Sequence, residues 1–117
     1  MNAIDIVKTA VKALDAHKGE DICVIKISEL TPIADYFVLV SANNHQQMDA
    51  LTDAVEEALA KEGVHEKRIE GAGGESWVLM DYVDVVIHIF SVKDRDFYHL
   101  EKIWQDGEFH TAEEFLQ

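Results

Sequence analysis

The chain has 117 residues, 48% of them apolar and 28% charged. At roughly 100–200 residues per domain this is one domain, long enough to bury a core without metals or disulfides and too apolar for disorder. Ten Lys and Arg stand against 23 Asp and Glu, a formal net charge of −13, which argues against unaided binding to a phosphate backbone or an anionic membrane and either steers the chain to a basic partner or only keeps it soluble.

In chain order, the spacing of Ile4, Val7, Val11 and Leu14 predicts a helix over 2–17, with Asn2 as its cap and Gly19 just past its end. This start carries acids and an amphipathic period, unlike a signal peptide. No apolar run reaches the ~18–20 residues a membrane span needs, so a cytoplasmic setting is expected. A strand is expected over 22–27, holding the single cysteine, Cys23, as a buried and inert thiol. After Pro32, a second strand over 35–42 is apolar at consecutive positions, the mark of a strand covered on both faces. Asn43 and Asn44 offer caps for a helix over 45–62, striped by Met48, Leu51, Val55 and Leu59 and stopped by Gly63. A short strand over 67–70 and a glycine-rich loop, 71–75, lead to two strands over 76–82 and 84–92. Their connection is too short for a parallel crossover, so they should pair antiparallel. A third helix is expected from 94 or 95 to 104, with Phe97, Leu100, Ile103 and Trp104 on one side. Residues 1–105 then form the domain and 106–117 an acidic tail, in which Thr111 could cap one last turn containing Phe115 and Leu116. The order α-β-β-α-β-β-β-α implies an α/β layered domain with a mixed, about five-stranded sheet flanked by helices.

Catalytic patterns are sparse. Gly71, Gly73 and Gly74 lack the lysine and hydroxyl of a phosphate loop, lead into a strand, and are flanked by Glu70 and Glu75. Six scattered histidines and one cysteine make no metal-binding spacing, and no serine sits in a nucleophile elbow. No metal or cofactor is expected. Asp81 and Asp84 superficially suit metal-dependent nucleotidyl transfer, but two carboxylates on one strand face are two apart, and these are three apart.

The remaining feature is a surface. Trp77, Leu79 and Asp81 point one way from their strand, and Val78, Met80 and Tyr82 the other. Val86, His88 and Phe90 share one face of the next strand. Taken singly, Trp77 and Phe90 read equally well as core, and His88 as a satisfied buried histidine. Taken together, aromatics beside acids favour a protein contact surface, since such rings bury large areas with few rotamers and Asp81 and Asp84 could pair with a partner's cations. The same patch could instead be a homodimer interface.

These residues also carry a resemblance. The stretches 34–42, 69–71, 76–90 and 95–104 followed by Asp106 resemble the Iojap-like family of ribosomal silencing factors, over about residues 4 to 106. Relatives often have glycine where Val83 stands; a β-branched residue resists positive φ, so no tight primed turn is expected there. The resemblance implies a fold similar to nucleotidyltransferases without their catalytic acids. It implies binding to a protein of the large ribosomal subunit on the face that meets the small subunit, a steric block to subunit joining, lowered translation, little direct nucleic-acid contact, and a homodimer when free. The expected contact residues are Trp77, Met80, Asp81, Tyr82, Asp84, His88 and Phe90, bordered by Arg95 and Tyr98.

Overall fold

Apolar stripes and helix caps place the first layer of the molecule. The computed structural model describes residues 1–74 and 76–116; Glu75 of the glycine-rich loop lies outside them. Helix α1 (Ala3–Ala16) starts where the Asn2 side chain accepts the Asp5 N–H at 3.0 Å. Helix α2 (His45–Lys61) starts where Asn44 accepts the Gln47 N–H at 2.8 Å. Both caps satisfy amide groups that a first helical turn leaves open. Val7, Val11 and Leu14 of α1 and Met48, Leu51, Val55 and Leu59 of α2 are wholly buried, each such side chain worth about 1.5–3 kcal/mol of transfer free energy.

The two helices pack on one face of a six-stranded sheet formed by β1 (Glu20–Lys26), β2 (Tyr36–Ala42), β3 (Arg68–Glu70), β4 (Trp77–Asp81), β5 (Val85–Ser91) and β6 (Glu108–Thr111), in the order β3-β4-β5-β2-β1-β6. Only the β2–β5 pair is parallel; the other four are antiparallel. The expected pairing of β4 with β5 is present, Trp77 opposite Phe90 and Asp81 opposite Val86. Central β2 and β5 explain their continuous apolar runs. Val38, Val40, Val85, Ile87 and Ile89 face the two long helices, while Phe37, Leu39, Val86 and Phe90 face the other way. No helix among the described residues is long and apolar enough to cross a membrane.

That second face carries α3 (Val92–Tyr98) and α4 (Leu100–Ile103). One continuous helix was the expectation, with Phe97, Leu100, Ile103 and Trp104 on one side. Instead His99 takes a left-handed conformation, φ 51°, and ends α3. The change of direction splits the stripe. Leu100 and Trp104 pack against the sheet, whereas Phe97 is 77% and Ile103 66% exposed.

The acidic tail is also revised. Residues Glu108–Thr111 form β6 along β1, from Cys23 opposite Thr111 to Lys26 opposite Glu108. A 3-10 turn (Ala112–Phe115) follows, capped as expected by Thr111, whose N–H donates to Glu114 at 2.7 Å. Phe115 enters the core on the side of α1. Residues 106–116 therefore complete the sheet and add a core side chain.

Candidate docking surface

Strand alternation sorts the expected contact residues onto two opposite faces. Met80 and Tyr82 point toward α1 and α2 and are buried in that core, 0% and 5% exposed. They offer nothing to a partner, which corrects the expectation that they supply contact. Burial first, then the Glu66 and Glu56 carboxylates, push the Tyr82 phenol far above its usual pKa.

Trp77, Leu79 and Asp81 of β4 point to the opposite face, with Val86, His88 and Phe90 of β5 beside them. Helices α3 and α4 cover this face over β5 and β2. Phe90 and His88 lie under that cover, 0% and 4% exposed, so they too are core rather than surface. Above them Trp77 stacks on Phe90 with ring centres 4.9 Å apart, and Tyr98 of α3 leans on Trp77 at 5.0 Å. Trp77 is half-buried and Tyr98 is exposed. Towards the sheet edge, Leu79 lies beside Glu70 and Arg68 of β3, which share its face because Ile69 between them packs with the helices. The accessible surface is thus an apolar centre of Trp77, Leu79 and Tyr98, rimmed by Glu70, Asp81 and Arg68.

His88 is a buried histidine with one satisfied nitrogen. Its Nδ1 accepts the Trp77 indole N–H at 3.1 Å, while Nε2 has no partner. Burial alone lowers its pKa to about 4, so the ring is neutral at pH 7.

Arg95 is the third correction. It is not a bordering contact but a buried clamp, its side chain 12% exposed. The guanidinium donates to Glu101 through Nε at 3.1 Å and pairs with it through Nη2 at 3.0 Å. Its Nη1 donates to Ser41 Oγ at 3.0 Å and to the Asp21 carbonyl. Arg95 so ties α3 to α4, β2 and the start of β1, and fixes where Tyr98 lies. Cys23, near this pair, is half-buried rather than buried, and burial first raises its thiol pKa.

Of the acids of the β4–β5 connection, Asp81 is tied into the turn by its side chain and Asp84 by its backbone alone. Asp81 Oδ1 accepts the Val83 N–H at 2.8 Å and Oδ2 lies 3.5 Å from Arg68 Nε. Asp84 sits outside both strands; its carbonyl accepts the Asp35 and Tyr36 N–H groups at 2.7 and 3.1 Å, and its side chain is exposed. This is not the shared strand face that two metal-holding carboxylates require. Val83 between them does adopt positive φ, 73°, against the expectation from its branched side chain. Sequence reading overlooked Arg68 and Glu70, because a three-residue strand shows too little alternation to reveal its face.

A family model described as ribosomal silencing factor during starvation matches residues 1–116. A ribosomal silencing factor of Bacillus subtilis (strain 168) is 35% identical over 107 residues, covering 92% of this chain and 91% of that protein. The Mus musculus protein named mitochondrial assembly of ribosomal large subunit protein 1 is 31% identical over 101 residues, covering 80% of this chain and 42% of that protein. A crystal structure of a Chromobacterium violaceum protein superposes with a TM-score of 0.85 at 34% identity, covering 90% of this chain and 88% of the other. With the family model spanning nearly every residue and the same fold found at 34% identity, the chain belongs to the ribosomal silencing factor family.

Proposed function

We propose that the chain represses translation in the cytoplasm by binding a basic protein of the large ribosomal subunit, on the face that meets the small subunit, and sterically preventing the subunits from joining. Trp77, Leu79 and Tyr98 supply the buried contact, with Asp81 and Asp84 at its margin. Three facts support this reading. The family is that of silencing factors. The mouse relative is named for large-subunit assembly. The observation that carries most weight is the Trp77–Tyr98 pair, accessible over a sheet face and rimmed by acids in a chain of net charge −13. Rings of this kind anchor protein interfaces, and the charge speeds encounter with a basic partner. The free chain is a homodimer in this reading, and the same aromatic surface is the region available for self-association.

Sedimentation of the chain with separated subunits tests the reading. Co-sedimentation with large subunits and slowed formation of joined ribosomes are expected. Replacing Tyr98 by Ala should weaken binding at least tenfold, an interface hot spot being worth roughly 2 kcal/mol or more. Joining at the normal rate with saturating chain present would refute the block.

A further inference from the structure

Beside Trp77 the docking face opens into a hollow of about 260 Å3 lined by Glu70, Gly71, Trp77 and Leu79. Gly71 has φ +80°, and a Cβ there would overlap the Trp77 carbonyl oxygen, so no side chain can fill this rim. Phe90, the cross-strand neighbour of Trp77, stacks on the indole from the β5 side. The other indole face is therefore turned to β3 and borders the hollow. The Trp77 N–H points inward, donating to His88 Nδ1 at 3.1 Å. An indole nitrogen can only donate, so His88 Nδ1 must accept, and the ring's one proton sits on Nε2. His88 is in turn held by Phe37, edge-on at 4.7 Å, and by Phe90, nearly parallel at 6.1 Å. Trp77 thus offers the hollow no polar atom, only the electron-rich face of its ring.

Such a face attracts cations, a guanidinium most readily, and among the described residues Glu70 is the one charged member of the lining. We propose that the hollow receives a single arginine side chain of the docked protein, laid on the outer face of Trp77 and paired with Glu70, and that His88 is the positioning residue that keeps this face presented. This rests on the docking reading above and adds the chemistry of one subsite. The resident cation, Arg68, lies 3.5 Å from both Glu70 and Asp81, with its side chain 61% exposed. Its hold on Glu70 is weak, as exposed pairs are, so an incoming guanidinium can displace it.

The test measures the affinity of the full chain and its surface variants for purified large subunits. If wild type does not bind, the docking reading fails and the subsite with it. If wild type binds, the variants decide the subsite alone. Glu70→Gln should weaken binding five- to tenfold and Arg68→Gln should tighten it at least twofold. Trp77→Leu should lose at least tenfold, with Trp77→Phe between it and wild type. Unchanged or tighter binding by Glu70→Gln, or weaker binding by Arg68→Gln, overturns the cationic occupant. For His88, nitrogen NMR of the unaltered chain should show Nδ1 without a proton; a proton on Nδ1 overturns the positioning role. His88→Phe, where circular dichroism shows it folded, should weaken binding to large subunits without altering the Glu70→Gln effect. Wild-type affinity in the folded variant likewise overturns that role.

Discussion

Val83 stands at φ 73° in a turn where Asp84 N–H donates to Tyr82 O and Tyr82 N–H donates to Val85 O, each at 2.9 Å. A branched side chain there is strained, at a cost of order 1–3 kcal/mol. Neighbours hold it in place: Asp81 accepts its N–H, and the Asp84 carbonyl is gripped by Asp35 and Tyr36. Val83→Gly removes the strain but frees the unfolded chain, so a net gain of about 1 kcal/mol is expected, read as a higher urea midpoint. An unchanged or lower midpoint would show the turn to be relaxed. His88 sets an acid limit on the fold. Its folded pKa of about 4 lies below the ordinary 6.5, so between these values the unfolded chain binds the extra proton. Stability is full above pH 6.5 and falls as the pH drops toward 4, by about 3 kcal/mol at 1.36 kcal/mol per unit. Urea midpoints followed from pH 7 to 4 should fall in wild type and fall less in a folded His88→Phe variant; parallel curves would remove His88 as the cause.

At the scale of the element, β6 is least legible, whereas the turn capped by Thr111 after it can be read from the sequence. Residues 108–111 alternate weakly and are mostly exposed, because an edge strand is made by its neighbour rather than by its own composition. The partner, β1, lies about eighty residues earlier in the chain. Phe115 shows what the segment contributes: it is 6% exposed and joins the core where the turn packs against α1 and β1. Phe115→Ala should cost about 3 kcal/mol and speed amide exchange in β6, while leaving Trp77 fluorescence unchanged. Stability within 0.5 kcal/mol of wild type would mean that β6 stands without the anchor. The break at His99 was illegible for a similar reason. Its spacing fits a continuous helix, and the Arg95 clamp takes, besides nearby Glu101, the partners Ser41 and Asp21, 54 and 74 positions away.

Across the whole molecule, the two long helices, the central strands and the β4–β5 pairing were legible because each is a periodic run longer than its own noise. The division of β4 into two sets of side chains was legible too. Which set meets the helices was not, since alternation is symmetric between faces. Alternation alone therefore leaves Met80 and Tyr82 open to the surface, although they lie in the core. Of the expected contacts, Trp77, Asp81, Asp84 and Tyr98 remain accessible, and Arg68 and Glu70 join them through a register that only the folded sheet displays. The order of strands also separates β6 from the candidate docking face. β6 and β4, the strand of Trp77, stand four spacings apart in the six-membered row, ~4.8 Å each or roughly 19 Å in all. A dye or affinity handle carried on β6 would thus stand well away from Trp77, and could report capture on large subunits without obstructing it.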